Sequence, residues 1–313
     1  MSRTPTDLLT LSGPAMGSRW TARLADPPPG LGPALAAAVE RVEAEASLWR
    51  PDSDLCRLNA APVGAWVALP EGLLALLALS LEMGRETGGL FDIGMGGLAA
   101  AWGFGAARGA VRPAAMSAPP RPANATAQAL ELDPARGRAR KHADLTLTLD
   151  GIAKGHAVDA MAEVARAMGV GQALLGLDGE LVALGTRPDG RPWGVAVEHP
   201  EPGRRAARGM IEIAGTALAS SGDYRHFVEV GGRRVSHTMN PRSGLPAQGV
   251  SAGGRLRRSP GRPPAPAPRR SPPSRSARRR RLPGRDGAGD GRAAFRRAGR
   301  HGRRHRRRPH PRG

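Results

Sequence analysis

Leu149-Asp150-Gly151-Ile152-Ala153-Lys154-Gly155-His156-Ala157-Val158-Asp159 is the stretch whose reading decides the fold. Immediately upstream, Leu145 to Leu149 alternates Leu with Thr, the period-2 pattern of a strand with one buried face. Downstream, Val158, Met161, Ala165 and Met168 form one stripe at helical spacing, while Asp159, Glu163 and Arg166 face away. A helix is therefore predicted from after Asp150 to near Gly169. A strand running through a Gly-bearing turn into a helix presents the unpaired N–H groups and positive dipole end of that helix, a natural anion site. Lys154 adds a full positive charge in the same turn. Two structural alternatives stand beside this reading. Asp150 suits a plain N-cap, and Gly-x-x-Lys-Gly is looser than the phosphate loop of nucleotide triphosphatases.

On either side of this turn the chain mixes helices and short strands. Leu31, Leu35, Val39, Val42 and Ala46 fall at helical spacing within residues 31–48, with Glu40, Arg41, Glu43 and Glu45 between them. A second helix is predicted from about Pro70 to Arg85 and stops at Gly88-Gly89. Ala173 to Leu177, Glu180 to Leu184 and Trp193 to Glu198 are short apolar runs separated by turn residues. Phe227 to Val230 and Arg233 to Ser236, split by Gly231-Gly232, read as a β-hairpin. Residues 106–142, rich in Ala, Pro and Arg, read as a loop or insertion. Without a regular βαβ rhythm, the expected class is α+β, with mixed or antiparallel sheets and packed helices.

The net charge of +20 belongs to one end of the chain. Of 47 Lys and Arg, 22 are arginines in residues 252–313, beside only two acids there, Asp286 and Asp290. Residues 1–251 then hold 25 basic and 25 acidic side chains, a balance of zero, which excludes a basic nucleic-acid-binding protein as a reading of the whole chain. In residues 252–313 the only large apolar side chains are Leu256, Leu282 and Phe295, too few to offset an ordering entropy of about 1–2 kcal/mol per residue. The expectation is one domain over 1–251 and a disordered, low-complexity Arg/Pro-rich tail over 252–313. Such a tail would bind polyanions non-specifically and salt-dependently, and its single aromatic offers no stacking platform. The lone Cys56 excludes an intramolecular disulfide framework and a Cys-based zinc cluster. No apolar run approaches the ~20 residues of a membrane span, and Met1 to Trp20 lacks the pattern of a secretory signal or a lipobox, so the chain reads as cytoplasmic.

Two further regions are candidates for chemistry. Phe91-Asp92 lies among Gly88-Gly89, Gly94, Gly96-Gly97 and Trp102-Gly103-Phe104-Gly105, and so much glycine around a carboxylate and aromatics suits close backbone approach to a flat ligand. The alternative is a turn-rich loop with Trp102 and Phe104 filling the core. His237 stands between Ser236 and Thr238, yet no Gly-x-Ser-x-Gly nucleophile elbow occurs, so a positioning or ligand-contacting role is favoured over a catalytic base.

Taken in order, these segments resemble the FAD:protein FMN transferases of the ApbE family. The matching residues are Ala15-Met16-Gly17-Ser18, Ser53 through Asn59, Thr87-Gly88-Gly89-Leu90-Phe91-Asp92, and Leu98 with Trp102 through Gly105. They continue with Gly151 through Gly155 with Val158-Asp159, Leu177-Asp178-Gly179-Glu180, Ser221-Gly222-Asp223-Tyr224, and His237 through Pro246. The resemblance covers about residues 10–250. It implies FAD as donor substrate, Mg²⁺, and transfer of FMN to a Thr or Ser hydroxyl of an acceptor flavoprotein with release of AMP. It also implies that Met16, Phe91, Asp92, Thr148, Lys154 and His237 lie around FAD and that the Gly151 carbonyl is a metal ligand. Family acceptors are often membrane redox subunits, and many relatives act outside the cytoplasm.

The sequence departs from the family pattern at several points. Thr148 stands where many relatives carry an acid, Asp178 replaces the first Gly of a common Gly-Gly pair, and Asn240 replaces an Asp. The largest departure is at the end. The resemblance implies a strand and then a helix start whose Asp and Thr complete the magnesium site, but the chain past Ser251 turns Arg-, Pro- and Gly-rich. This abrupt change matches an out-of-frame reading of GC-rich DNA near codon 252, which resequencing of that region tests. The competing reading is then an FAD-binding homologue without transferase activity.

Overall fold

The structure is a computed structural model that describes residues 7–105, 111, 119, 121–199, 206–222, 227–230, 232–248 and 252–258. Trp20, Ala22 and Leu24 point inward from alternate positions, and this period pairs β1 (Leu9–Ala15) with β2 (Ser18–Leu24) as a tight hairpin. Helix α1 (Leu31–Ala46) buries Leu31, Leu35, Val39 and Val42, the stripe its sequence predicts. The Ser53 hydroxyl accepts from the Cys56 N–H and starts α2 (Asp54–Ala60). There follow β3 (Val67–Ala68), α3 (Glu71–Glu86), α4 (Gly96–Ala101), α5 (Ala125–Ala129), β4 (Leu130–Asp133), β5 (Arg138–Lys141) and α6 (Ala153–Ala167). The remainder is β-structure: β6 (Ala173–Leu177), β7 (Glu180–Leu184), β8 (Trp193–Glu198), β9 (Ala207–Ile213), β10 (Thr216–Gly222), β11 (Phe227–Val230), β12 (Arg233–Ser236), β13 (Met239–Asn240), β14 (Leu245–Pro246) and β15 (Ala252–Arg258).

The main sheet is antiparallel throughout, in the order β1-β2-β6-β7-β10-β15. Helices α1 and α6 pack together on it, and Leu35, Val39, Met161 and Ala165 join Leu175 and Leu177 in a first core. The β8–β9 hairpin places Trp193 and Ile213 against Leu174 and Ala183, side chains of the alternate register of β6 and β7. A second core gathers α2, α3, the small β3-β5-β4 sheet and the inward leucines of residues 145–149. The α+β class, its antiparallel sheets and its packed helices are as expected from the sequence. Among the described residues, no helix is long and apolar enough to cross a membrane.

Three expectations are corrected. Leu145–Leu149 alternates as predicted, with Leu145, Leu147 and Leu149 buried, but joins no sheet. Its backbone is held by an Asn side chain and a loop, described below. Residues 106–142 are not simply a loop, because α5, β4 and β5 lie within them. Arg138 and Arg140 stack over Trp66 at 4.2 and 4.4 Å and pair with Asp133 and Glu131, so a sequence that reads as polar forms an ordered strand. Residues 106–110, 112–118 and 120 lie outside the described residues.

The third correction moves the boundary at 251. Ala252–Arg258 is a strand, paired with β10 from Gly222↔Ala252 to Thr216↔Arg258. Apolar composition bears only on side-chain burial, whereas pairing satisfies the backbone of an otherwise open edge. The domain thus extends into the segment assigned to the tail. The disorder expected beyond it concerns residues 259–313, which lie outside the described residues.

Candidate flavin site at the start of α6

The turn between Leu149 and α6 is built by its neighbours. Asn59 at the end of α2 acts as a surrogate strand: its Nδ2 donates to the Leu147 carbonyl at 2.9 Å and its Oδ1 accepts from the Leu147 N–H at 2.8 Å. The Thr148 N–H donates to the Ile93 carbonyl at 2.8 Å, and the Gly96 N–H to the Thr146 carbonyl at 3.1 Å. A Cβ at residue 96 would lie 2.7 Å from that carbonyl, so only glycine allows the approach. Helix α6 starts after Ile152, without a side-chain cap, and Asp150 is exposed. Asp150 is therefore not the N-cap; the Ala153 N–H donates to the Leu149 carbonyl at 2.8 Å, and the N–H groups of Lys154 and Gly155 have no capping side chain. The Phe91 ring lies beside Gly151, 3.4 Å from where a Cβ would stand.

Lys154, in the first turn of α6, is ion-paired through Nζ with Asp178 Oδ2. Asp178 and Gly179 form the turn between β6 and β7 with φ of +51° and +106°, the left-handed geometry of a two-residue hairpin. Met16 and Gly17 repeat it between β1 and β2 with φ of +46° and +72°. A methionine there is strained, and its backbone N–H is anchored to Glu43 Oε2 at 3.0 Å. The two turns are joined, since the Ser18 hydroxyl donates to Asp178 Oδ1 at 3.1 Å. Ser220, near the end of β10, donates to the Gly179 carbonyl at 3.3 Å. Met16 and Lys154 are thus linked through Ser18 and Asp178.

Glu180 belongs to the same group. Its Oε2 is buried and has no hydrogen-bond partner. Burial pushes its carboxyl up to about 7 and Asp178 adds to the rise, against the opposing pull of its own backbone N–H and of Lys154. Between the ordinary 4.5 and about 7, the native protein holds a proton that the unfolded chain has released. Stability contributed at this site therefore falls as pH rises through that window. Glu180→Gln is expected to flatten this slope. Allowing for partial exposure, the variant should gain roughly 1–2 kcal/mol on the wild type between about pH 5 and pH 8. Parallel urea titrations of the two proteins at several pH values check it, and identical pH profiles would refute it.

The glycine-rich loop closes the other side. The Asp92 carboxylate is only 4% exposed, accepting from the Gly94 N–H at 2.8 Å, bonded to Thr126 and paired with Arg121 at 3.4 Å. It holds the loop together and does not face open space. His237 meets Phe104 edge-on at 6.3 Å between ring centroids. The segment after His237 docks on the same loop: Arg121 N–H donates to the Pro241 carbonyl at 2.9 Å and Arg242 to the Gly88 carbonyl at 3.3 Å. Trp102 is buried, as its core-filling alternative requires. Of the residues singled out in the sequence, Phe91, Thr148, Gly151 and Lys154 converge on the turn before α6, Met16 is tied to Lys154, and Asp92 and His237 sit in the supporting loops. Asp223 and Tyr224 lie outside the described residues.

Sequence reasoning missed Asn59, Ser18 and Glu180 as parts of this arrangement, and Asp178 as the partner of Lys154. The turn residues between the short apolar runs Ala173–Leu177 and Glu180–Leu184 did mark a turn at Asp178-Gly179. The ion pair depends on β6 lying beside β2, which no local pattern encodes.

The Gly151 carbonyl accepts no backbone hydrogen bond among the described residues. It is a hard oxygen donor, and among the described residues no three His, Cys, Asp or Glu side chains gather as a metal cage. A backbone carbonyl is a donor type that Mg²⁺ accepts.

Comparison with known proteins gives the family. The family model described as the ApbE family matches residues 16–252. An FAD:protein FMN transferase of Klebsiella pneumoniae (strain 342) is 31% identical over 245 residues, which is 75% of this chain and 70% of that protein. One from Vibrio cholerae serotype O1 is 30% identical over 248 residues, 77% of this chain and 74% of its own. The crystal structure of apo flavinyl transferase ApbE from Pseudomonas stutzeri superposes with a TM-score of 0.70 at 32% identity, covering 83% of this chain and 82% of that one. Fold and relatives together define an enzyme of the flavin-transferase class. The chain belongs to the ApbE family.

Proposed function

We propose that this chain transfers the FMN half of FAD to a Thr or Ser hydroxyl of an acceptor flavoprotein and releases AMP. The observation that carries the proposal is the turn before α6, where Lys154, uncapped helix N–H groups and the Phe91 ring beside Gly151 surround one short loop. FAD joins a flat ring system to a diphosphate, and these groups answer both parts. In the transfer, the acceptor hydroxyl oxygen bonds to the FMN phosphorus, the phosphorus–oxygen bond to AMP breaks, and the hydroxyl proton leaves to a base. Negative charge grows on the diphosphate oxygens, where Lys154 and the N–H groups of α6 stabilise it. Phe91 orients the flat part, and in the free protein Ser18 and Asp178 tie the Met16 turn to Lys154. The Gly151 carbonyl would hold Mg²⁺ on the protein side, and the ion would supply further positive charge at the phosphates.

A second reading, FAD binding without transfer, is favoured by one specific observation. The family match ends at residue 252, and Ala252–Arg258 contains neither the Asp nor the Thr implied for the metal. One experiment separates the readings. The purified chain is incubated with FAD, Mg²⁺ and an acceptor flavoprotein, and the acceptor is inspected for covalent flavin fluorescence in a denaturing gel. Labelled acceptor supports transfer, whereas FAD binding with unlabelled acceptor supports the second reading. Lys154→Ala is expected to weaken FAD binding about tenfold or more with unchanged melting, because Lys154 lies off the buried stripe of α6. Unchanged affinity would show that the turn is only structural.

A further inference from the structure

We propose that Asp178 is a specificity-determining counter-ion: it occupies the Lys154 ammonium in the free enzyme, and the diphosphate of FAD must displace it. The inference rests on the flavin-site reading of Lys154. Three observations converge on it. The ion pair lies at the protein boundary, its side chains 32% and 29% exposed, so an incoming anion can reach and replace it. Asp178 holds its carboxylate there from a left-handed backbone position, φ +51°, with Oδ1 fixed by Ser18. On the far side of the same hairpin turn, Glu180 keeps Oε2 without a partner, so two carboxyl groups attend one ammonium. Above about pH 7, where Glu180 is ionised as well, the local charge is net negative, and an anionic ligand meets repulsion as well as competition.

Asp-Gly is also simply a good hairpin turn, and the choice of variant separates the two roles. Asn tolerates the left-handed conformation and keeps an oxygen for Ser18, so Asp178→Asn removes the charge while leaving the turn. FAD binding to the full chain is measured by flavin fluorescence at low and high salt, alongside thermal melting. The expected result is a five- to tenfold lower Kd for Asp178→Asn at low salt, a gain that shrinks at high salt, and native melting. Should Asp178→Asn fail to fold, Asp178→Gly, which accepts the positive φ without strain, carries the same expectation. Unchanged or weaker FAD binding by the variant, where Lys154→Ala still weakens it, overturns the counter-ion role and leaves the flavin site standing. If Lys154→Ala changes nothing, the site reading itself fails, and the proposal with it.

Discussion

A chain ending at Ser251 is expected to be less stable by on the order of 3–5 kcal/mol than one ending at Arg258, which should behave like the full-length protein. The difference between the two is β15, a seven-residue strand paired along the whole of β10. Each net hydrogen bond contributes about 0.5–1.5 kcal/mol, and a whole domain is stable by only about 5–15 kcal/mol. Without β15, β10 becomes an open edge and a template for association between molecules. Urea midpoints and light scattering on the two truncations test this. Equal midpoints would mean that the β10–β15 pairing contributes nothing. The distinction also refines the out-of-frame hypothesis, because the residues after 251 retain the pairing of a final strand even though they lack the Asp and Thr implied for the metal.

Asn59→Ala should cost about 3 kcal/mol and weaken FAD binding at the same time. Leu147 is fully buried, and its N–H and carbonyl are both satisfied by this one amide. Each group stranded without a partner costs about 1–3 kcal/mol. Asn59→Asp sets a carboxylate oxygen against the Leu147 carbonyl and should be at least as destabilising. The flavin effect follows from position, since the segment that Asn59 holds leads straight into Thr148, Gly151 and Lys154. Denaturation curves read the first effect and FAD titration the second. A destabilised variant with native affinity would separate the segment from the site.

The sequence alone located the long helices well: the apolar stripes of α1 and α6 lie where their periods put them, and α3 spans nearly the residues expected. The runs Ala173–Leu177, Glu180–Leu184 and Trp193–Glu198 are strands over the residues expected, and so is the Phe227–Ser236 hairpin. What failed depends on partners distant in sequence. Leu145–Leu149 has the alternation of a strand, but its neighbour is the Asn59 side chain, and no pattern distinguishes an amide from a β-ladder. The polar strands β4 and β5 are ordered by Trp66, far upstream, and β15 by an edge it completes. At the candidate site the cationic turn could be read locally. The neutralisation of Lys154 by Asp178 could not, because it arises from sheet order.

The turn before α6 also sits between two hydrophobic cores. Leu147, Leu149 and Ala153 belong to the second core, while Ala157, Val158 and Met161 on the same continuous segment belong to the first. The two cores are therefore mechanically in series through about three turns of chain. Neither can open as an independent unit without pulling on the segment that carries Gly151 and Lys154. A ligand gripping that segment suppresses local opening on both sides at once. Its binding would then register as amide protection in both cores, from Leu55 in α2 to Leu175 in β6, far beyond the atoms it touches.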